Sequence, residues 1–438
     1  MSEIPSVHFV NPLNPANSGT GQDVLIYENL TPAVNKYRDT FPERSEAVWT
    51  SEPGSLDELS KARQLATEYL LRTAEKLVAS DGLNRDIWAD RYTQATIELF
   101  GEPEKAEAER LLVSEYNLLS ELKDQEGISQ EPLQFLLDIY EPIVSDYVET
   151  ETQDTQADNK LERQAVSKYG EAIRAKYQPL FDLVDEDGKD EFSPKDLGQL
   201  FNKALDWLKG NDDPEWGKWS VKSIDADKLV VIASDREIQI GIKRETASAM
   251  DAKRLIAHEL LVHALRAKNG YKTGDSELAT GLPDSFNVGE GLGKLSEIAI
   301  TGEFPDAAPD NYIYVALALG VMDGVQRNRR ELFQIGYARK LIRAQLKGDD
   351  IDLDSIAKSS WRRVDRIYRG GPGDNIGTRQ AVFTKDIDYY VGYKQMAAYI
   401  NRQLNEGKSA EELFTYLSQG NFDPNNQQHL ERLANSQK

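Results

Sequence analysis

Six consecutive residues, His258-Glu259-Leu260-Leu261-Val262-His263, hold two of the four histidines in a chain of 438 residues. Neutral imidazole is a common nitrogen ligand for zinc, and a glutamate directly after the first histidine is where zinc hydrolases keep a general base. The spacing constrains the fold. Histidines four apart share one face of an α-helix, whereas five apart stand roughly 140° from each other at about 100° per residue. A regular α-helix does not aim both at one ion. The sequence therefore predicts a π-type bulge, one extra residue in the helix, between His258 and His263.

The flanks read as a buried helix. Asp251 is the expected N-cap, Leu255, Ile256, Leu260, Leu261, Val262 and Leu265 are too apolar for a solvent-facing element, and Asn269-Gly270 supplies the stop. The bland alternative is a core helix with two hydrogen-bonded histidines and a surface glutamate. Burying that trio costs stability unless it is paired or ligated, which favours a metal. The chain has no cysteine, so the third ligand is an Asp, a Glu or a distant His. Asn287-Val288-Gly289-Glu290-Gly291-Leu292-Gly293 places one carboxylate among glycines at the start of an expected helix. Glu290 is the candidate, and Glu297, on the Lys294–Ile300 stretch, is its competitor. One Zn2+ per chain is the expected cofactor.

The run His258-Glu259-x-x-x-His263-x-x-Arg266-x-x-Asn269-Gly270, followed by Glu290-Gly291-Leu292, resembles the HExxxH zinc peptidases that include the microtubule-associated tyrosine carboxypeptidases and many bacterial relatives. Arg366-x-x-Arg369-Gly370 and Phe383-Thr384-Lys385-Asp386-x-x-Tyr389-x-x-Gly392 resemble that family's C-terminal signatures, and Phe100-Gly101-Glu102-Pro103 a short N-terminal one. The likeness runs from about residue 55 to 400. It implies removal of a C-terminal tyrosine or phenylalanine from a peptide or protein, with His258, His263 and Glu290 as zinc ligands and Glu259 as the base. Arg266 and Asn269, in the same run, are expected to support the ligands from behind. One departure stands out: the family often has Gln or Glu before its Glu-Gly-Leu and Ala after it, where this chain has Gly289 and Gly293.

A carboxypeptidase must also hold the substrate's terminal carboxylate, and the bidentate fork of arginine suits that. Arg369, Lys385 and Tyr389 are the candidates at the signature positions, with ordinary surface ion pairs as the alternative. Another zinc hydrolase, an endopeptidase or amidase, and a catalytically silent metal-stabilised binding protein are the competing functions.

A net charge of −22 argues against binding a phosphate backbone, so nucleic acid is not an expected partner. It also weighs against tubulin, whose tails are acidic. Arg327-Asn328-Arg329-Arg330 reads as a solvated helix face. The N-terminus lacks a basic start and an apolar core for a signal peptide, and Ile313–Met322 is far shorter than the roughly 20 residues of a membrane helix. The expectation is a cytoplasmic enzyme with no membrane partner.

The expected fold class is mainly helical α+β, with a zincin-like domain carrying a small sheet and a helical N-terminal region. Residues 1–54 read as an irregular arm, 55–148 as helical from a Ser55-x-x-Glu58 capping box, and 149–160 as a linker or exposed loop. The catalytic domain is expected over 161–405, and a C-terminal helix with a polar, mobile tail over 406–438. Trp219–Ile224, Leu229–Ala233 and Glu237–Ile242 read as strands, and the last lies where zinc peptidases commonly place the sheet edge that pairs with substrate. Asp185–Ser193 resembles a calcium loop but carries Asp190 where the turn needs glycine and Asp196 in place of the last glutamate. It is expected to be an acidic turn leading into a helix capped by Ser193.

Overall fold

The computed structural model describes residues 56–80, 82–145, 152–302, 307–348, 351–369 and 380–436. The chain is mainly helical, with a two-stranded and a three-stranded sheet among the described residues. It divides into two compact units that do not follow the expected boundaries: Lys61–Val148 joins Pro309–Ile387, and Glu149–Ala308 joins Asp388–Lys438. The block expected over 161–405 is thus interrupted, because the helices from residue 309 onward bury their apolar faces with the N-terminal helices. The expected arm and Ser55 lie outside the described residues.

Among its described residues the first unit is helical. Leu56–Val78 and Gly82–Phe100 are followed by Lys105–Glu121 and Gln130–Val144, then by Ala307–Leu319, Arg329–Lys347 and Leu353–Ile367. Its polar hub is Asp310, 2% exposed, which accepts from Arg339 at 2.8 Å, Arg343 at 2.7 Å and Arg363 at 2.5 Å. Arg339 also pairs with Glu115 at 2.5 Å, so one carboxylate and one guanidinium stitch four helices together. Burial alone would raise the Asp310 carboxyl, but the three arginines outweigh it and hold the group far below the usual carboxylate range. The Arg327–Arg330 stretch is not a solvated face. Asn328 caps a helix and Arg329 turns inward to Asp365 and the Tyr368 carbonyl, because capping that helix points the residue after it at the neighbouring one.

In the second unit the polar stretch expected as a linker is helical from Thr152, the start of a helix that runs to Glu186. It lacks apolar periodicity, yet its Gln, Ala and Lys residues extend a helix that the packed residues downstream stabilise. That helix bends at Tyr177, with φ −122° and ψ 15°, two residues before Pro179, whose ring and missing N–H disturb the preceding turn. The acidic turn follows. Asp196 accepts from Lys189 at 2.5 Å and closes a capping box with Ser193 that starts the helix Pro194–Asn211.

Strands β1 (Glu191–Phe192) and β5 (Ala247–Ser248) pair antiparallel. In the larger sheet β2 (Ser220–Ile224) runs parallel and β3 (Leu229–Ile232) antiparallel to β4 (Glu237–Gly241). The order β2-β4-β3 puts β4 in the centre, so the strand expected to offer a free edge has both edges paired. Alternation explains it: Ile238 and Ile240 are buried, and a strand that fills the core is best covered on both sides. The tail expected to be polar and mobile at the end of 406–438 includes a helix, Gln427–Ser436, whose Leu433 packs with Leu278, Leu282 and Phe422. Among the described residues no helix is long and apolar enough to cross a membrane.

Because the Asp310 carboxyl is depressed in the fold, its contribution is fully present above the unfolded value, about 3.9, and is lost as pH falls through the folded one. Asp310→Asn should therefore cost the first unit about 3–5 kcal/mol at pH 7, read as a lower urea midpoint. The deficit should persist at pH 4 and shrink only in stronger acid; equal midpoints at pH 7 would show that the hub adds no net stability.

Candidate metal centre

The motif helix begins at β5. Ser248, not Asp251, is its N-cap: the Ser248 hydroxyl oxygen accepts from the Asp251 N–H at 3.1 Å, and the hydroxyl donates to the Asp251 carboxylate at 2.8 Å. Asp251 is the third helical residue, where an acid favours the helix dipole. After Ala249–Leu255 the backbone widens into a π-helix over Ile256–Ala264, then returns to α over Leu265–Lys272. The Leu265 N–H reaches the Leu260 carbonyl, five residues back. The wide turn is longer than the single-residue bulge expected. Its apolar side chains Ile256, Leu260, Leu261 and Val262 are all buried, so packing offsets its poorer hydrogen bonding.

Widening the helix brings the two histidines onto one side. Their ring centroids are 4.9 Å apart. Glu290, from the helix Phe286–Thr301, lies 3.5 Å from His258 Nε2 and 3.9 Å from His263 Nε2. Donor atoms of His258, His263 and Glu290 all fall within 4.8 Å of one another, a group that can hold a metal ion. His258 is buried and the other two are half-buried. Glu297, the competitor for third ligand, takes a different place: it meets His258 Nδ1 at 2.6 Å. Lys294 donates to both Glu297 oxygens at 2.9 Å, which keeps that carboxylate ionised and accepting. His258 Nδ1–H therefore donates to Glu297 and leaves Nε2 facing Glu290.

Glycine is required at places around the ligands. A Cβ on Gly293 would stand 2.5 Å from the His258 ring, so an alanine there would force the imidazole to shift. Gly291 meets the backbone of Gly392, on the helix Asp388–Asn405, where added Cβ atoms would lie 2.1 Å and 2.0 Å from backbone atoms. Two of the signatures singled out in the sequence thus meet at a backbone-to-backbone crossing. One turn away Lys294 lies 5.8 Å from the centre of the Tyr389 ring.

The hydrogen bonds of Arg266 and Asn269 go elsewhere than to the ligands, although Arg266 also lies beside His263 across Gly289. Arg266 donates to the carbonyls of Gly420 at 2.9 Å and Phe422 at 2.8 Å, and Asn269 to that of Ser418 at 2.7 Å. Both anchor a C-terminal loop, whose carbonyls need donors once the final helix is packed. Of the cations expected to bind substrate, Arg369 and Lys385 belong to the first unit. Arg369 accepts the Tyr92 hydroxyl at its carbonyl and lies 5.5 Å over the Phe383 ring. Only Tyr389, of these three, shares the unit of the metal cluster. A cleft of about 630 Å3 that includes Asp90, Glu102, Glu104 and Lys105 in its walls also belongs to the first unit and contains no residue of the cluster.

Charge explains the chemistry. Burial lowers both histidines, but hydrogen bonds to Glu290 and Glu297 and the nearby carboxylates lift His258 to about 10. His263, with less compensation, falls to about 4. Burial and the charges of Glu290 and Glu297 raise Glu259 to about 7, against the pull of His258 and Arg244. Burial opposes ionisation of Glu297, yet Lys294 and His258 bring it down to about 2. Three carboxylates around two imidazoles form a site that a divalent cation neutralises, and two nitrogens with one oxygen suit zinc. Sequence reasoning missed Lys294. Its spacing, four after Glu290 and three before Glu297, is the helical signal that could have found it.

Compared with protein-family models, curated proteins and solved structures, the chain has no match.

Glu297→Ala should weaken zinc binding about 10–100-fold with the fold intact, and Glu297→Gln, which still accepts, should weaken it less. Chelator competition measures both. Unchanged affinity in the alanine variant would remove Glu297 from the centre.

Proposed function

We propose that this protein is a zinc-dependent carboxypeptidase that removes a C-terminal tyrosine or phenylalanine from a peptide or protein, its catalytic unit being zincin-like. The observation that carries the reading is the π-helix, which gathers His258, His263 and Glu290 with the adjacent Glu259. The choice of an aromatic terminus comes from the resemblance of Glu290-Gly291-Leu292 and the later signatures to the HExxxH peptidases.

Two imidazoles and a carboxylate hold the ion, and Glu259 remains outside that set. Zinc bound there supplies Lewis acidity toward a carbonyl and toward water. Glu259 has the half-buried carboxylate needed to take a proton from attacking water as the new C–O bond forms. The same carboxyl then returns the proton to the amine nitrogen as the C–N bond breaks. Glu297 would fix the Nδ1–H tautomer of His258 once an ion takes the Nε2 proton's place, and Lys294 holds Glu297 ionised. Tyr389, against Lys294, is the substrate-binding candidate carried by this unit.

Glu259→Gln should keep its zinc and lose hydrolysis of a peptide ending in free tyrosine by about 10²–10⁴-fold. In the wild type the same peptide as its C-terminal amide should be a poor substrate. Undiminished turnover by the variant would contradict the general-base role, and equal cleavage of acid and amide would point to an endopeptidase.

A further inference from the structure

We propose that the place beside Gly289, between Arg266 and His263, binds a small monovalent anion, chloride by size, and that this anion strengthens the hold of His263 on its metal. The coupling to the metal rests on the metal reading of the cluster, whereas the anion site itself rests on Arg266.

Arg266 is 2% exposed and lies on the helix that continues the π turn beyond His263. Its Nε donates to the Gly420 carbonyl at 2.9 Å and its Nη2 to the Phe422 carbonyl at 2.8 Å. Its Nη1 is buried and has no hydrogen-bond partner among the described residues. Both acceptors are neutral. The Asp423 carboxylate acts on the guanidinium only through space and is engaged elsewhere, by the Asn425 N–H at 2.8 Å and the Gln395 amide at 3.4 Å. A guanidinium taken out of water keeps its charge, and an N–H on it without an acceptor adds the cost of an unmade hydrogen bond. An acceptor that carries negative charge answers both.

Gly289 shows where that acceptor fits. A Cβ built on this residue would stand 3.4 Å from Arg266 Nη1, 3.6 Å from His263 Cε1 and 3.9 Å from His263 Nδ1. These are ordinary contact distances, so the glycine leaves room for one heavy atom against both side chains. His263 supplies the second donor. With Nε2 turned toward Glu290 and a metal, the ring proton is on Nδ1, and that nitrogen has no protein acceptor among the described residues. A guanidinium N–H and an imidazole N–H that converge on an atom-sized place suit an ion that accepts from every direction. Chloride does so, and it is small enough for the place.

The two histidines are then backed in different ways. His258 donates to a built-in carboxylate, Glu297, at 2.6 Å, and His263 donates to an exchangeable ion. A negative partner on Nδ1–H makes the imidazole a stronger ligand and fixes its ring. Zinc affinity should therefore depend on the anion in solution, and by linkage the anion should bind better with zinc in place.

The test measures zinc affinity by chelator competition on the full chain, in sodium chloride and in sodium gluconate at equal ionic strength, gluconate being too large for the place. Wild type, Gly289→Ala and Gly289→Ser share the same solutions, so that chloride binding to zinc outside the protein cancels between them. Zinc content and the thermal midpoint of the zinc-free protein are recorded in both salts. The wild type should bind zinc about fivefold or more tightly in chloride than in gluconate. Gly289→Ala and Gly289→Ser fill the place with an atom of their own and should lose that dependence; either variant suffices if it stays folded. A zinc-binding wild type indifferent to chloride overturns the site and leaves the metal centre standing. A chloride effect that survives at Gly289→Ala also overturns it, because the ion then acts elsewhere, as on the open position of the metal. If the wild type takes up no zinc, the metal reading fails and the thermal midpoints decide: a rise in chloride that the variants abolish upholds an anion on Arg266, and no such rise overturns it.

Discussion

The wide turn Ile256–Ala264 is the constraint from which the metal centre follows. Histidines five apart point away from each other on an α-helix, and only a π turn returns them to one side. Such a turn is poor on its own. Here it is walled in by buried Ile256, Leu260, Leu261 and Val262 and by the glycine-rich helix that brings Glu290. Gly293 leaves the space that the His258 ring fills, and the Gly291–Gly392 crossing lets a third helix close over the second at backbone distance. Bulk at any of these places would separate the donors that the turn assembles.

Electrostatics then divides labour among three carboxylates within one small volume. Glu290 faces both imidazole Nε2 atoms, Glu297 is committed to His258 Nδ1 and Lys294, and Glu259 is raised by burial. Their separate environments suit the three carboxylates to the proposed roles of ligand, orienting group and proton acceptor. The first unit uses the opposite arrangement. Three arginines converge on the single carboxylate of Asp310, and that excess of positive charge serves to join helices.

Local chemistry was legible in the sequence, and long-range order was not. The widened helix followed from the spacing of His258 and His263, and the Ser193 N-cap followed from capping chemistry. Glu290 was preferred to Glu297 for its place among glycines, but their separate roles were not legible, because both lie on one helix and only the direction of the His258 ring separates them. The edge assignment for β4 was wrong because alternation gives the buried face of a strand and says nothing of its neighbours. Arg266 and Asn269 sit in the metal motif yet bond a loop about 150 residues later, since the spacing fixes the helix and not what packs behind it. The interruption at Pro309 has the same origin: apolar faces show that a helix is buried but not against which partner.

The measurement that bears most directly on the account is the metal content of the purified full chain by mass spectrometry, wild type beside His263→Ala. The assembled donors predict about one zinc per wild-type chain and its loss in the variant. Wild-type protein that takes up no metal when zinc is offered, or a His263→Ala protein that retains it fully, would contradict the centre and leave the widened helix as a structural element of the core.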